Sequence, residues 1–105
     1  MKAEEFRTLA LSFRGAIESQ HMGHPDFRVG GKIFATLGTK NDVAMVKLKP
    51  EQQSAFIEEW PDIFYPASGT WGQRGATMIR LSKADKSSAR KALTTAWKNI
   101  SSFGG

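Results

Sequence analysis

Cysteine is absent from the 105 residues, which excludes disulfides, thiolate nucleophiles and cysteine-held metals together. No run of 18 apolar residues occurs, so no segment reads as a membrane span. The opening Met1-Lys2-Ala3-Glu4-Glu5 has neither the basic start nor the apolar stretch of a secretory leader. These absences lead to the expectation of a cytoplasmic protein with no membrane partner. Acidic residues are scarce in one region in particular. Residues 70–105 hold seven Lys/Arg (Arg74, Arg80, Lys83, Lys86, Arg90, Lys91, Lys98) against Asp85 alone, whereas residues 1–69 hold eight against nine. The net charge of +5 therefore arises in the C-terminal third. A one-signed field draws anionic partners by steering and counterion release, the alternative being a basic helix that is simply solvated.

At this length one domain, 1–105, is expected, burying roughly two thirds of its unfolded surface and stable without staples. Phe6, Leu9, Ala10 and Phe13 recur at helical spacing and predict a helix over 3–13, stopped by Gly15. Glu18–Met22 gives a weak extended signal. Phe27–Val29 and Lys32–Leu37 flank Gly30-Gly31, a pair suited to the positive φ angles of a tight hairpin. A turn cluster over 38–42 leads into a strand over 43–49, with Ala44, Val46 and Leu48 on one face and Met45, Lys47 and Lys49 on the other. Pro50 opens a helix whose apolar side is Phe56, Ile57 and Trp60, and Pro61 closes it. Ile63–Tyr65 and Ala76–Leu81 read as strands separated by a glycine-rich loop over 68–75. The clearest helix is 85–100, where Ala89, Ala92, Leu93, Ala96, Trp97 and Ile100 fill one arc behind an N-cap at Ser82 or Asp85. Residues 101–105 read as a tail.

Strands grouped between helices argue for α+β, a two-layer fold with an antiparallel sheet and helices on one face, in the order α-β(3)-α-β(2)-α. In the hairpin, Phe27 is expected opposite Phe34 and Arg28 opposite Ile33. That register places apolar groups on both sides of the sheet. Either the sheet curves over itself, or its second face meets another copy of the chain as a homodimer or a different protein.

Two runs resemble the signature of the MmcQ/YjbR-like family of small bacterial domains. The first is His24-Pro25-Asp26-Phe27-Arg28-Val29-Gly30-Gly31-Lys32-Ile33-Phe34; the second is Trp71-Gly72-Gln73-Arg74-Gly75-Ala76-Thr77, approached through Phe64-Tyr65-Pro66-Ala67. The chain departs from the pattern at Arg14-Gly15, where Pro-Gly is usual, and at Ala76, where a bulky aromatic is common. The resemblance implies a secretion-chaperone-like arrangement and the family's label of DNA-binding protein, with His24, Pro25, Phe27, Gly30, Gly31, Phe34 and Gly72 as its structural motif.

The residues themselves offer three chemistries. Arg90, Lys91 and Lys98 share an arc of the last helix, with Lys86 near its boundary, and Trp71 and Arg74 add a stack and a cation on a glycine-framed loop. With Lys32 as an auxiliary charge, these would hold nucleic acid with weak sequence selectivity. The alternative role for Trp71 is a loop anchor. A second chemistry is a protein- or small-ligand-binding module on the open sheet face, a shallow apolar site made by the glycine-framed loop and the Phe27/Phe34 side of the sheet with Lys32 or His24 as a polar contact. Enzymatic chemistry is the third and is not expected. Gly30-Gly31-Lys32 lacks P-loop spacing, and no Ser-His-Asp set or carboxylate pair stands out. His21 and His24 match His-x-x-His only in spacing, since Gly23 and Pro25 remove the helical frame that would align them on a metal. No cofactor is called for, and His24 is expected to hydrogen-bond at the entry to the hairpin.

Overall fold

Six antiparallel strands and four helices make up the computed structural model, which describes residues 1–38 and 42–101. In chain order they are α1 (Ala3–Leu11), β1 (Ile17–His21), β2 (His24–Val29), β3 (Lys32–Leu37), β4 (Val43–Lys47), α2 (Pro50–Glu59), β5 (Phe64–Pro66), α3 (Gly69–Gln73), β6 (Ala76–Arg80) and α4 (Lys86–Ile100). The sheet order is β1-β2-β3-β4-β6-β5. The expected α+β class with an antiparallel sheet stands, with one more strand and one more helix than the residue pattern suggests. Most of the turn expected over 38–42 and of the tail expected over 101–105 lies outside the described residues.

Strand alternation divides the sheet into two faces. Phe27, Ala35, Leu37, Ala44, Val46, Phe64 and Ile79 point to one side and meet Phe6, Leu9 and Ala10 of α1 and Ala89, Ala92, Leu93 and Ala96 of α4 in a single core. Edge-on aromatic contacts fix the layers: Phe6 on Phe27 at 6.2 Å, Phe13 on Phe34 at 6.3 Å and Phe56 of α2 on Phe64 at 5.1 Å. Asp85 is the N-cap of α4, accepting from the Ser88 backbone N–H at 2.8 Å. That bond holds the Asp85 carboxyl below its ordinary range.

The hairpin register differs from the expected one. Arg28 does pair with Ile33, but Phe27 pairs with Ala35, leaving Phe34 as the extra residue of a β-bulge. The bulge lets Phe34 and Ala35 both enter the core, each with no exposed surface. It also restores alternation beyond it, so that Thr36 turns to the opposite face. The β2–β3 and β1–β2 turns have positive φ at their two central residues: Gly30 (59°) and Gly31 (80°) as expected in the first, and Met22 (50°) and Gly23 (79°) in the second.

Residues 68–75, expected as a loop, contain the short helix α3. Its position depends on two glycines. A Cβ at Gly72 would lie 1.7 Å from the Ala67 carbonyl oxygen, and one at Gly75 would lie 2.0 Å from that of Leu48. Gln53 of α2 donates from Nε2 to the carbonyls of Gly72 (3.0 Å) and Ala76 (2.9 Å), tying α3 to the second helix.

Candidate binding site on the open sheet face

The face turned away from α1, α2 and α4 carries a continuous transverse row. Through successive register pairs it runs Ser19, Asp26, Thr36, Met45, Met78, Tyr65, one residue from each strand. A second row begins with His21 opposite His24. Met45 is nearly buried without belonging to the helix-side core. What covers it is the chain itself. Trp71 of α3 comes over from one side and the Met22 turn from the other, and together with His21, His24, Thr36, Gly38, Asp42, Val43, Met45 and Met78 they enclose a groove of about 510 Å³.

The walls are chemically distinct. Three of the four methionines line the groove, giving it a polarizable, adaptable floor. Trp71 keeps 55% of its surface exposed, so its ring is a free wall and not a plug sealed in the core. Met22 is 92% exposed at the lip, held at a φ that β-turns ordinarily give to Gly or Asn.

Beneath the histidine end lies a buried ionic cluster. Asp26 has no exposed surface and accepts from Arg28 Nε (2.7 Å) and Nη2 (2.9 Å) in a bidentate pair, while His21 Nδ1 lies 2.7 Å from its second oxygen. Arg28's hydrogen bonds hold the Asp26 carboxyl below its ordinary range; burial opposes the shift and the His21 bond adds to it. The same pair raises the Arg28 guanidinium still further above neutrality. An ionised Asp26 is an acceptor, so the Nδ1 side of His21 carries the proton in this contact. His24 sits across the hairpin from His21 with ring centroids 6.2 Å apart. Among the described residues the hydrogen bond expected of His24 is made by His21 instead.

The residues anticipated for nucleic acid are distributed over several surfaces. Lys86 and Arg90 line a second groove, about 380 Å³, that they share with Glu4 and Glu5 of α1. Lys91 places its Nζ 5.4 Å from the Trp60 ring centroid. Lys98 is exposed in the last turn of α4, Arg74 is exposed at the C-cap of α3, and Lys32 is exposed at the start of β3. Arg74, Lys98 and Lys32 line neither groove. Trp71 faces Met45 and Met78, whose neighbours Ala44, Val46 and Ile79 belong to the core shared with α4. The indole and the basic helix thus lie on opposite sides of the sheet. Among the described residues the ion pairs are Arg7 with Glu4 and Glu18, and Asp26 with Arg28 and His21; the α4 cations enter none of them.

Sequence reasoning missed the site's floor and its buried anchor. Strand alternation had already turned Met45 away from Ala44 and Val46, and that was the available signal. Its neighbours Met78 and Thr36 become visible only through the β3-β4-β6 register.

A family model described as YjbR matches residues 11–99. No curated protein matches the chain. Among solved structures, the Deinococcus radiodurans protein DR2400, a DUF419 domain, superposes with a TM-score of 0.78 at 14% identity, over 97% of this chain and 80% of that one. At that identity the likeness concerns the fold alone.

Proposed function

The chain belongs to the YjbR family, and we propose that it acts as a non-enzymatic binding module whose site is the groove on the open sheet face. The observation carrying this reading is the half-exposed Trp71 lining, together with Met45 and Met78, one concavity of about 510 Å³. A concave, mainly apolar site with a few convergent polar groups is the usual form of a small-ligand pocket. The non-enzymatic part rests on the His21–Asp26 pair. Its carboxylate is also engaged by Arg28 in a bidentate pair, which gives the cluster a structural role in the hairpin.

Indole-region NMR tests this directly, because the chain has three tryptophans. Titration with 1-naphthol, a neutral aromatic probe, is expected to shift the Trp71 signal and leave Trp60 and Trp97 in place. The shift should be insensitive to salt and absent in Trp71→Ala. Equal movement of all three signals, or of none, contradicts the reading.

A second reading, weakly sequence-selective association with nucleic acid, is supported by the exposure of Lys86, Arg90, Lys91 and Lys98 along α4. It would use that helix without Trp71. Fluorescence anisotropy with labelled duplex and single-stranded DNA over a salt series tests it. Phosphate binding weakens steeply with salt, and the Arg90→Ala/Lys91→Ala double variant should weaken it further without lowering the melting temperature. A flat salt dependence, or unchanged affinity in the variant, removes this reading.

A further inference from the structure

The groove is electrically unlike the rest of the chain. The sequence has 15 Lys/Arg and a net charge of +5, yet among the described residues no lysine or arginine lines this concavity. Strand register places three cations on the same sheet face; Lys47 lies outside the lining, and the two arginines are engaged elsewhere. Arg28 is committed to Asp26 through two hydrogen bonds, and Arg80 lies over the Tyr65 ring at 4.2 Å. What the groove does present is acceptors and electron-rich surface. Asp42 supplies a carboxylate at the rim and Thr36 a hydroxyl. The Trp71 ring offers the negative face of its quadrupole, and the methionine thioethers are polarizable.

We propose that the groove takes a small organic cation, an ammonium carried on an aromatic or apolar body. The inference rests on the reading of the groove as a ligand site and adds the sign of the ligand's charge. The apolar body lies on Met45 and Met78, and the ammonium is placed between the Trp71 face and Asp42. A carboxylate or phosphate in the same position would meet Asp42 and the indole face, with no lysine or arginine among the described lining residues to offset them.

Three near-isosteric probes separate charge from shape: benzylammonium, benzyl alcohol and phenylacetate, titrated by indole-region NMR at low salt. Benzylammonium is expected to bind about five-fold more tightly than benzyl alcohol, from one exposed cation–π contact and one rim carboxylate, and phenylacetate more weakly than either. Asp42→Asn, an exposed substitution, should bring benzylammonium about three-fold closer to benzyl alcohol. Benzyl alcohol or phenylacetate binding as tightly as benzylammonium, with Trp71 shifting, would overturn the cation inference while leaving the groove as a site. Failure of all three probes to shift Trp71 would remove the groove reading and the inference with it.

Discussion

Replacing Asp26 by Asn leaves the side-chain shape nearly unchanged and removes the charge around which the histidine end of the groove is organised. The wild-type carboxylate accepts two hydrogen bonds from Arg28 and one from His21 with no exposed surface of its own. The amide oxygen can keep one Arg28 bond; its NH2 group faces donors where acceptors are needed. Hydrogen bonds to charged groups contribute about 1.5–3 kcal/mol each, and water recovers part of that for partners left partly exposed. Arg28 and His21 retain 28% and 35% side-chain exposure, so their loss is partial. A net destabilisation of about 2–3 kcal/mol at pH 7 follows. With an unfolding entropy of roughly 0.22 kcal/mol per degree for this length, the melting temperature should fall by about 9–14 °C.

The cost should also depend on pH. Arg28 holds the folded-state Asp26 pKa below its unfolded value, so this contribution is complete above the unfolded range near about 4 and is lost as pH falls through the folded value. Scanning calorimetry of both proteins at pH 7 and at the lowest pH where the fold persists is the assay. The gap between them should be widest at pH 7 and narrow in acid. A melting temperature unchanged at pH 7, or a gap that stays constant into acid, would refute the reasoning that an ionised Asp26 stabilises the hairpin.

Three further substitutions probe individual elements of the fold, two of them beside the groove. Met22→Gly relieves a left-handed backbone costing about 1–2 kcal/mol, part of which is offset by glycine's greater unfolded-state freedom. A net gain of about 0.5–1 kcal/mol should appear as a rise of about 2–5 °C in melting temperature. Gly72→Ala would place a Cβ 1.7 Å from the Ala67 carbonyl oxygen. It should cost more than about 2 kcal/mol and move the Trp71 indole NMR signal. Trp97→Phe removes the 2.9 Å bond from Nε1 to the Arg14 carbonyl and should lower stability to urea by about 1 kcal/mol.

Where a segment's structure is set by its own residues, it could be read directly from the sequence. Helix α4 announces itself through Ala89, Leu93 and Ala96 behind the Asp85 cap, and Pro50 and Pro61 bracket α2. The Gly30-Gly31 turn was visible because glycine is the residue that such a turn favours. The Met22-Gly23 turn was not, because methionine there contradicts local preference. Strand β1 gave only a weak signal for a different reason. As an edge strand it exposes Ile17, Glu18, Ser19 and Gln20 alike, so no alternation marks it. The bulge at Phe34 depends on how two large rings and Ala35 share the core, which is a tertiary matter. The groove was hidden for the same reason. Thr36, Met45 and Met78 lie on three strands and become neighbours only through long-range register, and Trp71 reaches them because Gly72 and Gly75 permit α3 to pack closely.

The four methionines provide an internal control for the site. Met22, Met45 and Met78 line the open-face groove, whereas Met1 lies in the groove between α1 and α4, beside Lys86 and Arg90. Methyl-labelled methionine NMR during titration with benzylammonium should therefore shift three signals and leave the fourth in place. Movement of Met1 alone, or no movement of Met45 and Met78 at saturating probe, would contradict the assignment of binding to the open sheet face.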